Sequence, residues 1–338
     1  MAKITRSNGH RLDSIAHIQL GVGTLERPNP EDLGFSLDAV SDAVVSLSAE
    51  IPADAMTAQT LGTERAGNGV IIDEHGLVLT IGYLISEATA ITLKTAHGEE
   101  IPGETVAYDY ETGFGLIRAL APLGVAPVEI GEAGTVMPGD PVVVAGHADG
   151  GGAIAAQVVA KREFAGYWEY LLDEAIFTSP PHPNWGGTAL IDKDGRLVGI
   201  GSLFVQETRT PDEHEPGNMF VPIDLLHPVY HDLVTLGRAN RESRPWLGMF
   251  TTESSGHLIV AGLYSNGPAE RAGLEQLDVI LRVDNHPVKG LADMYRKVWG
   301  AGDAGTRVGM TVLRDGKIVD VVIETADRYT LMRVSRPH

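Results

Sequence analysis

Hydroxyl and imidazole side chains gather in the run FTSPPHPNWGGTALIDKDGRLVGIGSL, which spans Phe177 to Leu203 and carries Thr178, Ser179, His182, Thr188 and Ser202. A hydroxyl becomes a useful nucleophile when a neighbouring base takes its proton, and imidazole is the usual base at neutral pH. Ser179 with His182 is one such pairing, and His147 lies in a second stretch, PVVVAGHA. Hydroxyls in loops that end strands mostly form turns or face water, which is the plainer use of these residues. The same run holds Trp185-Gly186-Gly187, and an indole cannot attack a carbonyl. Among the 12 histidines, His214 and the pair His227 and His231 also stand out. Spacing i, i+4 on a helix can present two imidazoles to one metal. No glutamate completes an HExxH pattern and Pro228 follows His227 directly, so surface or capping roles are expected, with no metal and no cofactor.

The chain has 338 residues, enough for two domains with a sizeable core in each. Hydrophobic residues make up 43% and charged residues 21%, an ordinary globular balance that excludes wholesale disorder. The 40 glycines exceed average usage and suit a chain with many tight turns. The formal charge, 26 − 45 = −19, repels phosphate backbones and anionic surfaces, so nucleic acid is not an expected partner. Without cysteine there is no disulfide framework, thiolate metal site or cysteine nucleophile. The N-terminal run MAKITRSNGHRLDSIAHIQLGVG lacks the apolar core of a secretory signal, and no stretch approaches a membrane span. With Met1 as the start, the expectation is a cytoplasmic protein.

The elements that must position these residues are mostly strands. Residues 1–36 are polar and contain RPNPED, and they read as a leader. LDAVSDAVVSL, from Leu37 to Leu47, is expected to be a helix capped by Ser36. From Gly69 short apolar runs alternate with turns: GVIIDEHGLVLTIGYLI as a hairpin turning at Glu74-His75-Gly76, then ITLKTA, ETVAYDY, FGLIRAL, PVVVAGHA, AIAAQVVAKREF, DEAIFTS and RLVGIGSLFV. Many strands at regular spacing without intervening helices argue a barrel or sandwich. A helix is expected to open at Pro222-Ile223-Asp224, with Leu225, Leu226, Val229, Leu233 and Leu236 near one face.

The run around Trp185 resembles the nucleophile loop of the HtrA branch of chymotrypsin-fold proteases, GNSGGPL followed by a strand close to VIGI. The resemblance covers roughly residues 37–328 and implies a mostly β, chymotrypsin-like double β-barrel. It places Trp185 at the serine and, in GLVLTIGYLI, Tyr83 at the catalytic histidine. In DYETGFGLIR it places Gly113 at the orienting aspartate, and Pro183 falls where a glycine would lend an oxyanion N–H. A phenol accepts no proton usefully at neutral pH, glycine holds no base, and proline has no N–H. The expectation is therefore a degenerate, non-enzymatic member of that family. Trp185 then either fills the former cleft or anchors a partner, and filling is preferred because an empty apolar cleft is costly. The alternative is an HtrA-type serine endopeptidase with a relocated or rebuilt active site.

Residues after the charged connector RANRESR resemble a PDZ domain. PWLGMFTTE matches its carboxylate-binding loop and next strand. NGPAERAGLEQLDVILRVDNHPV matches its core stretch, with Leu277 where glycine is usual, and LADMYRKVWGAG and MTVLRDGKIVDVVIE supply a helix and a hairpin. The implied division is 37–238 for the trypsin-like domain, 239–244 for the linker, 245–328 for the PDZ domain and 329–338 for a tail. A PDZ groove adds an extended peptide as a strand to a sheet edge. Trp246, Leu247, Gly248 and Met249 would hold the carboxylate, Phe250, Thr251 and Thr252 would form the pairing edge, and Arg244 would be a nearby cation. Expected partners are peptide or protein C-termini or unfolded segments, for a scaffold, regulator or holdase-type chaperone. The resemblance also implies a homo-oligomer, a trimer joined through N-terminal segments, although little aromatic material precedes Phe35.

Overall fold

The computed structural model describes residues 26–206, 208 and 215–332. His214 and the outer parts of the leader and tail lie outside the described residues. The first half of the chain alternates strands with turns. Strands β1 (Val44–Glu50), β2 (Glu64–Ile71), β3 (Leu77–Ile81), β4 (Ala90–Lys94), β5 (Glu100–Tyr108) and β6 (Phe114–Ala119) close into a barrel in the order β1-β2-β3-β6-β5-β4. Strands β7 (Pro141–Ala145), β8 (Ala153–Gly166), β9 (Tyr170–Ser179), β10 (Ala189–Ile191), β11 (Leu197–Val205) and β12 (Gly217–Pro222) close a second, in the order β10-β11-β12-β9-β8-β7. Closure pairs every strand on both sides and leaves no exposed edge. Leu47, Ile71, Leu79 and Phe114 fill the first barrel, and Phe177 and Phe220 the second, all fully buried.

The turn at Glu74-His75-Gly76 forms as expected. Asp73 Oδ1 accepts from the backbone N–H of His75 at 2.9 Å and of Leu77 at 2.7 Å, and Gly76 takes φ +76°. Two helix expectations are corrected. Helix α1 covers only Leu37–Asp42, with Ser36 Oγ accepting from Ala39 N at 3.2 Å. Val44 onward joins β1, where Val44 and Val45 pair with Val70 and Gly69, because β-branched side chains fit a pleated surface better than a helix. The helix expected from Pro222 begins later. Pro222 ends β12, Ile223–Leu225 form one tight turn, and α3 runs Tyr230–Leu236, after Pro228 and before a left-handed Gly237 at φ +75°. A short helix α2 (Ala58–Leu61) intervenes after β1. Pro228 lacks the N–H that a continuous helix would use. Leu233 is buried on α3, whereas Leu236 is exposed.

By packing, the chain forms two compact units. One holds most of both barrels; the other holds Glu163–Asp173 together with the described residues from Arg241 to Met332. In the second unit β13 (Met249–Ser254), β14 (His257–Leu263), β15 (Val279–Val283), β17 (Arg307–Arg314) and β18 (Lys317–Glu324) make a sheet in the order β13-β14-β15-β17-β18, with β16 (His286–Pro287) on β15. Helices α4 (Pro268–Arg271), α5 (Leu291–Trp299) and α6 (Arg328–Leu331) complete it. Met294, Tyr295 and Val298 of α5 are fully buried against Met249, Val260, Val308 and Val312. They fall on one face because i, i+1 and i+4 positions bracket a single helical stripe. Leu277 adopts the left-handed conformation that explains the family's glycine, at φ +75° with its side chain 73% exposed. Leucine bears that conformation at a cost of about 1 kcal/mol.

Candidate functional site

Two places carry the residues singled out by sequence: the loop system around Trp185 and the loop before β13. Tyr83 sits in the tight turn Gly82–Leu84 that follows β3. Its hydroxyl donates to the carbonyl of Ser202 at 2.7 Å, and its own carbonyl accepts from Arg65 Nη1 at 2.6 Å. Burial pushes the phenol far above its usual pKa, against a smaller lowering from the Trp185 side chain. It is therefore a committed donor. Gly113, at φ +86°, offers backbone only, its carbonyl accepting from Gly82 N at 2.7 Å.

Trp185 is 5% exposed and packs its ring 5.7 Å from that of Phe204. The indole is thus an interior group, not a surface anchor. Its carbonyl accepts from Thr188 Oγ1 at 2.9 Å. Pro183 stands in the turn before it. Gly187 is the position that fixes the loop: at φ +76°, a Cβ there would lie 1.9 Å from the Asn68 carbonyl. Asn68 is the residue that sequence reasoning passed over. Its side-chain amide donates to the carbonyls of Asn184 at 2.8 Å and Gly186 at 3.0 Å, and its Oδ1 accepts from His147 N at 2.9 Å. A fully buried asparagine in β2 thereby ties the loop of the second barrel to the first. Its place in the motif GNG, between two glycines that leave room for the approach, was the available signal.

The imidazoles near this loop are spoken for. His182 is fully buried; Nδ1 accepts from Asn184 N at 3.1 Å, which leaves the proton on Nε2 to donate to the Gly152 carbonyl at 2.9 Å. Burial lowers its pKa. Ser179 Oγ donates to the Pro216 carbonyl at 3.0 Å, so the Ser179–His182 pairing is not made. His147 Nδ1 similarly accepts from Asp149 N at 3.3 Å while Nε2 meets the Thr95 carbonyl at 3.1 Å. Thr188 is buried behind Trp185, and Ser202 is held by its carbonyl to Tyr83. His227 and His231 are both exposed, and His227 precedes α3, so the two do not share a helix. Among the described residues no group of three or more His, Cys, Asp or Glu side chains is placed to hold a metal ion.

The loop before β13 presents converging backbone donors. The N–H groups of Leu247, Gly248 and Met249 point at one carboxylate, that of Glu169. Oε2 accepts from Leu247 N at 2.9 Å, and Oε1 from Gly248 N at 2.8 Å and Met249 N at 3.2 Å. Gly248 takes φ +75°, which lets successive N–H groups face the same way. On the pairing edge, Thr251 N donates to the Tyr167 carbonyl at 2.9 Å, and Phe250 lies 5.9 Å from the Tyr167 ring. Thr252 pairs with Ile259 across the sheet. The cation expected here is corrected. Arg244 stacks its guanidinium 4.5 Å over Trp299, whereas Arg328 of α6 is the charge that acts on Glu169. Burial raises Glu169 to about 7, against lowering by the three N–H donors and Arg328.

A family of trypsin-like peptidase domains matches residues 67–200, and a PDZ domain family matches residues 245–325. The periplasmic serine endoprotease DegP of Escherichia coli K12 is 26% identical over 278 residues, covering 76% of this chain and 56% of DegP. The serine endoprotease DegS of Haemophilus influenzae is 26% identical over 273 residues, covering 78% of each. The chain thus spans about half the length of the DegP-type relatives it matches. Among solved structures, the HtrA-type protease AlgW with a decapeptide superposes with a TM-score of 0.51 at 21% identity, over 87% of this chain and 99% of that one. That likeness speaks for the fold. The expectation of a non-enzyme is corrected here: the matching relatives are named serine endoproteases, which points to a protease family and not to an inactive form. Among the described residues no helix is long and apolar enough to cross a membrane.

Proposed function

Because the chain joins a trypsin-like peptidase domain to a PDZ domain and is homologous to the HtrA proteases DegP and DegS, we propose that it captures C-termini or unfolded segments of peptide or protein partners in its PDZ groove. The observation that supports this is the convergence of three backbone N–H groups on one carboxylate at Leu247, Gly248 and Met249. Backbone donors recognise a carboxylate whatever residue carries it, and specificity then comes from side-chain pockets along the edge strand. Scaffold, regulator and holdase roles all draw on such capture. Self-association as a trimer is part of the same proposal and is read by light scattering of the full chain.

The names of the relatives favour a second reading, hydrolysis of the captured chain. In this chain turnover needs groups other than Tyr83, Gly113 and Trp185, since none of these side chains can act as base or nucleophile. Casein digestion by the full chain, with Ser179→Ala and Thr188→Ala variants, decides it: hydrolysis that survives purification and is lost in a variant supports a rebuilt site. The capture reading is tested by titrating the full chain with peptides ending in apolar residues. Micromolar binding that weakens at least tenfold on amidation of the peptide is expected. Equal affinity for free and amidated peptides would rule out carboxylate capture.

A further inference from the structure

The carboxylate already held in the groove belongs to this chain. Glu169 closes the turn between β8 and β9, in the left-handed conformation at φ +61°, and is 7% exposed. Around it the segment Glu163–Asp173 behaves as a bound peptide. Tyr167 supplies a main-chain acceptor to Thr251 on the edge strand β13, as an added strand does. Tyr295 of α5, the helix facing that edge, donates its hydroxyl to the Gly166 carbonyl at 2.7 Å and accepts from Glu169 N at 3.1 Å. Ala165 and Leu171 pack on the apolar core of the unit. Arg296 of α5 braces both arms, reaching Glu163 at 2.6 Å and Asp173 at 2.5 Å.

These contacts engage the loop, the edge strand and the helix, the three parts a peptide would use. A glutamate side chain and a chain terminus present the same pair of acceptor oxygens, so they compete for one set of donors. We propose that the β8–β9 turn is the resident ligand of the PDZ groove, with Glu169 standing in for a C-terminal carboxylate, and that a partner peptide binds by displacing it. The inference rests on the capture reading above and adds a gate to it. A tethered ligand competes at the millimolar effective concentrations typical of short connections. The apparent affinity for a free peptide then falls by the fraction of molecules whose groove is open.

The test uses the full chain and a peptide with an apolar C-terminal residue and a free carboxylate. Glu169→Gly suits the left-handed turn while removing the carboxylate, and Glu169→Gln keeps the side-chain shape while replacing one of the two acceptor oxygens with an NH2 that cannot accept from the loop. Circular dichroism confirms that both fold. Two quantities are read: peptide Kd by fluorescence anisotropy, and hydrogen-exchange protection of the Leu247, Gly248 and Met249 amides without peptide. The expected result is a tenfold or greater gain in peptide affinity in both variants, with at least tenfold loss of amide protection. Peptide added to the wild-type chain is expected to release residues 163–173 to faster exchange. Equal peptide affinity in wild type and both variants overturns the resident-ligand inference and leaves capture standing. No peptide binding in any of the three, with amide protection lost in the variants, overturns capture and makes the turn a structural strap, which also ends the gate. Unchanged amide protection in the variants overturns the docking itself.

Discussion

Docking of Glu169 is expected to weaken as pH rises from about 4.5 to about 7. Burial raises its carboxyl from 4.5 to about 7 in the docked state, so the docked turn binds a proton more tightly than the free turn does. A raised carboxyl pKa contributes stability that is fully present below the free value and is lost as pH rises through the docked value. Each unit is worth about 1.36 kcal/mol, so the loss across this window approaches 3 kcal/mol, a factor on the order of 10² in the docking equilibrium. The groups facing Glu169 do not titrate within the window. Arg328 of α6 keeps its charge, and the Tyr295 and Tyr167 phenols, both raised by burial, stay neutral. On its own segment, Glu163 and Asp173 are paired with Arg296. The assay is amide exchange at Leu247, Gly248 and Met249 from pH 4.5 to 8, corrected for the intrinsic exchange rate. Wild type is expected to lose protection up to about pH 7 and then level off, while Glu169→Gln shows no such slope. Protection that rises with pH in wild type, or an identical slope in both proteins, refutes the reasoning.

Four further substitutions probe the first unit. Trp185→Ala removes an indole that is 5% exposed and is expected to cost about 3–5 kcal/mol in urea unfolding, whereas a loss under about 1 kcal/mol would mean the indole packs against nothing that matters. Arg65→Met deletes a fully buried guanidinium that donates to the carbonyls of Tyr83 and Ser86 and to the Thr57 and Ser86 hydroxyls, beside the buried Glu87 carboxylate; about 3–5 kcal/mol is expected from the charge left behind, read by the same unfolding curves. Gly187→Ala is expected to cost more than about 3 kcal/mol, because its Cβ would meet the Asn68 carbonyl at 1.9 Å; Gly98→Ala, also left-handed but with open space around it, should lose only about 1 kcal/mol.

The barrels were legible because short apolar runs, buried along most of their length, are punctuated by turn residues. Glu74-His75-Gly76 turned where expected, and Asp73 supplied the acceptor that sequence alone does not specify. Helix ends were less legible. Leu37–Leu47 has a helical start, yet the pairing of Val44 with Val70 across the barrel outweighs local preference. The Trp185 loop was located by its glycines, but the residue that ties it down, Asn68, lies 116 positions from Asn184 and 118 from Gly186. The same distance in sequence hid the ligand of the PDZ loop. Leu247, Gly248 and Met249 were expected at a carboxylate from their local motif, and Trp246, expected with them, instead donates its backbone N–H to the Ala326 carbonyl at 3.1 Å; Glu169 lies 78 positions from Leu247 and sits in a run without any motif of its own. Sequence patterns report which backbone will converge; they do not report which side chain arrives there.

Convergent donors in a buried loop must find an acceptor, and that requirement couples stability to capture with opposite signs. Leaving a buried donor unmade costs about 1–3 kcal/mol, more when the acceptor it loses is charged. Glu169→Gly strips the Leu247, Gly248 and Met249 amides of their acceptor, so the unliganded variant should melt earlier, by roughly 2–4 °C per kcal/mol lost. Water reaching the opened loop will recover part of this. The same vacancy is what a peptide carboxylate fills, so saturating peptide should restore the melting temperature of the variant by more than it raises that of wild type. In wild type each bond gained by the peptide replaces one given up by Glu169, and the net stabilisation is small. Thermal melts of both proteins with and without peptide measure this difference directly. A peptide that stabilises wild type and Glu169→Gly equally would show that the two carboxylates occupy different sites, and the competition on which the gate depends would not exist.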